Sequence, residues 1–278
     1  MIPSGTLRFL RIWKLNIVEC IKRVDPFFGS LGLTIGNFDG FHLGHQRILR
    51  TLSDECRKRG LYSAVITFKE HPLKLIRGEA PRHLGPRTEK IRWFQKLGVD
   101  ILLYIDFDTA LSSMRPLDFL GLLKKELDPR LFCLGKSFRF GKDNRGDVGL
   151  IKRNGSVLRY DFVCVDDVRV DGDAVSSTRI RKAVDEGDFT LVNRLLGRSY
   201  SAWFRKDDSD GGRLRMFLPE AVLPREGRYR GEMLDMKTGE RVKTTLAVST
   251  KGFLANSTSM NSDTLYRFFF EYRMDTEK

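Results

Sequence analysis

The chain has 278 residues and a formal net charge of +13, and 41% of its residues are apolar. A soft expectation of roughly 150 residues per domain allows one large or two ordinary domains, each with a proper core, and the apolar content excludes wholesale disorder. The basic balance points to anionic partners, whether phosphorylated small molecules, nucleic acid or acidic lipid, although solvated surface lysines and arginines alone would give the same charge.

The first 24 residues, "MIPSGTLRFLRIWKLNIVECIKRV", break their apolar positions repeatedly with Arg and Lys. They lack the uninterrupted apolar stretch and small-residue cleavage site of an export signal. No segment reaches the roughly 20 apolar residues that cross a bilayer, so no membrane span and a cytoplasmic location are expected. This stretch reads as a leading helix or a strand–helix arm. From residue 31 a regular alternation begins. "LGLTI" is a short apolar strand, and "HQRILRTLSDECRKRG" a helix with Ile48, Leu49, Leu52 and Cys56 on one face and Gly60 as its stop. "LYSAVITF" is the next strand, "RTEKIRWFQKLG" a helix and "DILLYIDF" a strand. "RPLDFLGLLKKEL" is a helix with Pro116 in its first turn, "RLFCLG" a strand, and "VLRYDFVCVDDVRV" supplies one or two more. "SSTRIRKAVDEGD" and "FTLVNRLLG" close the series as helices. Strand–helix alternation with short connections predicts an α/β domain around a mostly parallel sheet, with its ligand sites in the loops that follow the strands. After Tyr200 the composition changes. "RKDDSDGG" reads as a linker, and "GRYRGEMLD", the turn "KTG", "ERVKTTLAVS" and "TLYRFFFEYR" read as a small antiparallel β domain. The expected division is residues 1–200 and 201–278. The phenylalanine run is expected to be strand core, with an oligomer contact as the other use; oligomeric state itself is not legible.

Cys20, Cys56, Cys133 and Cys164 are far apart and form no CxxC pair. They read as small buried residues of a reduced compartment, with neither a disulfide frame nor a zinc site.

The most informative stretch is "LTIGNFDGFHLGHQ". Gly36 follows a strand directly, where a glycine lets backbone approach a ligand closely. His42 and His45 are three apart and point to the same side of a starting helical turn, with Gly44 between them. Histidines and free N–H groups at a helix N-terminus suit phosphate. No Lys follows as in a P-loop, and no third residue stands at metal-ligand spacing, so no protein-held metal is expected. A glycine-rich βα turn with two surface histidines is the plainer alternative. "SSTRIR" is a second anion candidate: Ser176, Ser177 and Thr178 are good capping residues, and Arg181 suits a bidentate clamp on phosphate. Its alternative is an ordinary capped helix with surface arginines.

These residues carry a family resemblance. "TIGNFDGFHLGH" resembles the nucleotidyltransferase signature of the bacterial FAD synthetases, the FMN adenylyltransferase half of bifunctional riboflavin kinase/FAD synthetases. The HxGH element alone is shared with a wider superfamily of adenylyl and cytidylyl transferases. The narrower likeness comes from "TFKEHP", similar to TF–x–PHP, "LGVDILLYIDFD", "GKSFRFG", similar to G–x–D/N–F–x–F–G, "SSTRIR", and "LLGRSY" at the domain junction. It covers residues 31–200. It implies a Rossmann-like HxGH nucleotidyltransferase domain that converts FMN and ATP to FAD and pyrophosphate, with Mg²⁺ carried by the ATP. It implies small-molecule substrates and no nucleic-acid partner. His42, His45 and Arg181 would stabilise charge during catalysis. Gly36, Asn37, Phe38, Asp39, Gly44, Ser137, Ser176, Ser177 and Thr178 would bind ATP. Phe68, His71, Pro72, Phe138, Arg139 and Phe140 would bind the flavin. Two departures stand out: Ser137 replaces the usual Asp or Asn, and Glu70 replaces a proline. The family's kinase motif G–F–P–T–A–N is missing after residue 200, which implies a degenerate riboflavin-kinase-like β domain without kinase activity.

Overall fold

A computed structural model describes residues 15–21, 29–207, 213–218, 220–250, 252–256, 260–261 and 264–274. Most of the expected N-terminal arm, and the Ser–Asp–Gly–Gly part of the expected linker, lie outside the described residues. The chain forms two compact units. One comprises residues up to Asn37, Gln46–Ala80 and Ile91–Asp167; the other comprises Phe38–His45, Pro81–Lys90 and everything from Val168.

The first unit is built on six strands: β1 (Asn16–Val18), β2 (Leu31–Ile35), β3 (Tyr62–Phe68), β4 (Ile101–Ile105), β5 (Leu131–Gly135) and β6 (Asp161–Val165). They form one sheet in the order β1-β4-β3-β2-β5-β6, and every pairing is parallel. β2 and β4 are buried along their whole length, which is why they read as unbroken apolar runs and not as alternating ones. The crossovers are carried by α1 (Leu43–Arg59), α3 (Arg87–Lys96), α5 (Pro116–Leu127) and α6 (Val148–Leu158), with the short helices α2 (Pro72–Arg77) and α4 (Thr109–Ser113) in loops after β3 and β4. Leu33, Ile66, Leu103 and Phe132 from the strands meet Leu120 and Leu123 of α5 in the core. The strand order reverses between β2 and β5. In open α/β sheets the crevice beyond the strand ends at such a reversal receives the ligand.

Two expectations need correction. Val157 and Leu158, read as the start of a strand, are the last residues of α6; Asp147 starts that helix by accepting from the Leu150 amide at 2.8 Å. Cys164 is exposed and Cys20 half-buried, while Cys56 and Cys133 are buried. Cys164 lies on β6, whose neighbour on one side only is β5, so this edge strand keeps part of its surface open. On α1, Gln46 is buried with Leu49, Leu52 and Cys56, and the half-buried Ile48 lies against Gly135 of β5.

In the second unit, β7 (Tyr200–Asp207), β8 (Arg213–Met216), β9 (Gly227–Asp235), β10 (Arg241–Ser249), β11 (Gly252–Ala255) and β12 (Leu265–Met274) close an antiparallel barrel in the order β7-β8-β11-β10-β9-β12. Closure removes the open edges that a small sheet would otherwise expose. The Lys–Thr–Gly turn between β9 and β10 is fixed by Asp235, whose carboxylate accepts from the amides of Lys237 and Thr238. The phenylalanine run alternates as a strand must: Phe268 and Phe270 are fully buried and Phe269 is not. Helices α7 (Ser177–Glu186) and α8 (Phe189–Leu196) share the barrel's core. Phe189 of α8 stacks on Phe270, centroids 4.4 Å apart.

Candidate active site

Phe38–His45, which lead from the loop after β2 into the first turn of α1, fold into a tight turn belonging to the second unit. Phe38, Gly40 and Phe41 all have positive φ. At Gly40 (φ 77°) a Cβ would also stand 2.8 Å from the Leu84 side chain, so only glycine fits without displacing it. The Phe38 and Phe41 rings are buried and pack around His45, Phe38 at 5.1 Å between centroids. His42 and His45 stack face to face at 3.6 Å and 19°. A Cβ on Gly44 would press on the His42 ring at 3.1 Å. The glycine therefore clears space for the stack.

The hydrogen bonding fixes the state of His42. The His45 amide donates to His42 Nδ1 at 3.3 Å, so the proton of the neutral ring sits on Nε2. Burial, followed by the charges of Arg198 and Arg181, pushes the His42 pKa down to about 4. Burial, then His42 and Lys90, hold His45 well below the usual histidine value. His45 Nδ1 is buried and has no hydrogen-bond partner among the described residues. Both rings are thus neutral hydrogen-bonding groups without substrate, set in a field of buried cations. Burial lowers Lys90 to about 8, against the pull of Asp39.

Asp39 turns inward. Its carboxylate accepts from the Leu84 amide at 3.1 and 3.3 Å and from Arg181 Nη2 at 2.5 Å. Arg181 also gives Nε to the Arg82 carbonyl at 2.8 Å. Ser177 Oγ donates to the Asp39 carbonyl at 2.9 Å, and Arg198 Nη2 to the Gly40 carbonyl at 3.0 Å. Ser176 is the N-cap of α7, accepting from the Arg179 amide at 3.2 Å, and Thr178 is exposed on the first helical turn. The second unit therefore gathers His42, His45, Arg181, Phe38, Asp39, Gly44, Ser176, Ser177 and Thr178.

A cavity of about 610 Å³ opens in the first unit. It is lined by all six residues expected at the flavin: Phe68, His71, Pro72, Phe138, Arg139 and Phe140. Gly36 and Asn37, expected at ATP, line it too. The Phe138 and Phe140 rings lie nearly parallel, 14° apart with centroids at 5.6 Å. His71 caps α2 by accepting from the Leu73 amide at 3.2 Å. Ser137 is exposed on the turn after β5, is not among the cavity-lining residues and belongs to the first unit. Among the described residues no three His, Cys, Asp or Glu side chains cluster as metal ligands, and no helix is long and apolar enough to cross a membrane.

Sequence reasoning missed Lys90 and Arg198. Lys90 sits in a charged helix start, "RTEK", where solvent exposure is the default expectation. Arg198 directly follows the α8 stop at Gly197, and only its place in "LLGRSY" marked that segment.

Comparison with known proteins narrows the chemistry. The FAD synthetase family model matches residues 29–179. The chain is 34% identical over 213 residues to the bifunctional riboflavin kinase/FMN adenylyltransferase of Escherichia coli K12, covering 73% of this chain and 68% of that one. To the protein of the same name from Haemophilus influenzae it is 33% identical over 196 residues, covering 69% and 63%. The crystal structure of a macrolide-efflux protein from Streptococcus pneumoniae aligns with a TM-score of 0.79 over 95% of this chain and 92% of its own, at 21% identity. That is a likeness of fold.

Proposed function

Because the chain belongs to the FAD synthetase family, we propose that it transfers AMP from MgATP to FMN, making FAD and releasing pyrophosphate. An FMN phosphate oxygen attacks the α-phosphorus, and the bond from that phosphorus to the bridging oxygen of the pyrophosphate breaks. Such a step needs positioning and charge stabilisation and no protein nucleophile. His42 would donate its Nε2 proton to the triphosphate, with His45 beside it. The ring would gain proton affinity as the negative charge arrives. Arg181 keeps Nη1 outside its bonds to Asp39 and Arg82, so that edge would meet the departing pyrophosphate, helped by the N-terminus of α7. The 610 Å³ cavity, with its parallel phenylalanines, would take the isoalloxazine. The metal would ride on the phosphates through oxygen and water ligands. Asp39 and Phe38 would act by shaping the turn.

One observation carries this reading: two neutral, stacked histidines at the start of α1 with Arg181 tied to the same turn. We assign adenylyl transfer to residues 1–200 and a supporting role without kinase activity to residues 201–278, in the cytoplasm where ATP is found. Chromatography of products from MgATP with either FMN or riboflavin tests it. FAD should form from FMN, disappear in His42→Ala, and no FMN should form from riboflavin. FMN binding without FAD would instead identify a flavin carrier. AMP transfer to a different phosphorylated acceptor would overturn the substrate.

A further inference from the structure

The segment Pro81–Lys90 grips the histidine turn and is itself gripped by the barrel. Toward the turn, the Arg82 carbonyl accepts from Arg181, the Leu84 amide donates to Asp39, and the Leu84 side chain packs on Gly40. Toward the barrel, the His83 amide donates to the Glu220 carbonyl and the Val222 amide to the His83 carbonyl, both at 2.8 Å. Glu89, in the first turn of α3, accepts from Arg267 Nη2 of β12 at 2.5 Å; the two side chains are only 14% and 16% exposed. Arg267 is fixed in turn. Its Nε donates to Ser201 Oγ at 2.8 Å, and its guanidinium lies 5.0 Å from the Trp203 ring and 4.6 Å from Phe269.

A buried ion pair is a poor way to gain stability alone, because an apolar pair of similar size holds as well without the desolvation cost. What it adds is direction. A planar guanidinium clamped on several sides accepts a carboxylate in one geometry.

We propose that Arg267 is a positioning residue for adenylyl transfer: through Glu89 and the 81–90 segment it holds Asp39 and Arg181 in register for the ATP phosphates. This rests on reading the histidine turn as the ATP site, and it gives the barrel a task other than phosphorylation. The flavin cavity shares no residue with this route.

The test compares wild type with Arg267→Met, Arg267→Lys and the charge-free pair Glu89→Gln/Arg267→Met. ATP affinity is measured by calorimetry with Mg²⁺ and FMN affinity by flavin fluorescence, below the melting temperature of each variant. The Kd for ATP should rise about 2- to 30-fold in Arg267→Met, the Kd for FMN should hold, and Arg267→Lys should recover part of the loss. If Arg267→Met does not fold, the charge-free pair decides, with the same split expected. A folded variant with both affinities unchanged, or both weakened alike, overturns the proposal. Wild type that binds ATP but makes no FAD would overturn the assigned activity while leaving this comparison intact.

Discussion

The state of His42 makes a quantitative prediction about acid. Folding drops its pKa from 6.5 to about 4, chiefly by burial. The unfolded chain therefore takes up the proton first as pH falls, and stability depends on pH with the sign of that difference. The contribution is intact above about pH 6.5 and is lost as pH falls toward 4. At about 1.4 kcal/mol per pH unit the full loss is about 3 kcal/mol, of which about 2 is gone by pH 5. His45 shifts the same way and adds to it. Urea unfolding, followed by the fluorescence of Trp203 in the same unit with Trp13 and Trp93 replaced by Phe, should lose midpoint between pH 7.5 and 5. In His42→Asn the loss over that interval should be smaller by about 2 kcal/mol, roughly 1 M in urea. Ring NMR of the wild type should put the His42 titration near 4 and move it upward with ATP. A free-protein titration near 6.5, or identical acid sensitivity in His42→Asn, would refute the burial argument.

Asp39→Ala leaves Arg181 and the Leu84 amide without their shared partner and should destabilise the second unit by about 3 kcal/mol or more, read from the urea midpoint. Gly40→Ala forces a Cβ against Leu84 at φ 77° and should cost about 1–3 kcal/mol in the same assay; an unchanged midpoint would show that the turn can relax. Phe138→Ala should weaken FMN binding about tenfold with ATP affinity unchanged, measured by flavin fluorescence and calorimetry.

Much of the fold could be read because the sheet strands are buried on both faces. An unbroken run such as "LGLTI" has few other readings, and the helices between strands end at Gly60 and Gly98 as their punctuation suggests. Helix α6 was hidden because Asn154, Gly155 and Ser156 carry turn chemistry. Its start is set by the Asp147 cap; Ile151 and Gly155 are its buried residues, with Val148, Leu150 and Leu158 packed against the core. Tertiary packing overrode local preference there. The same holds for β7, whose charged end merges into residues that read as a linker.

The site divides along the same line. The six flavin candidates were singled out by the likeness of "TFKEHP" and "GKSFRFG" to family segments; they lie at the ends of, and in the loops after, β3 and β5, and all six line one cavity. The histidine turn was found as a motif, but its side-chain orientations could not be. Asp39, expected to shape the turn and contact the nucleotide, bonds Arg181, a partner 142 positions away in sequence. Lys90 and Arg198 enter its field from separate elements that carry no local mark. A motif encodes which groups meet the ligand, whereas the groups that aim them are selected only by long-range packing. Here that packing runs through a barrel without the kinase motif. If the barrel aims Arg181, selection on residues 201–278 would act on Arg267 and on the 81–90 contacts. The rest of its surface would then be free to drift, as long as the core around Phe268 and Phe270 still closes.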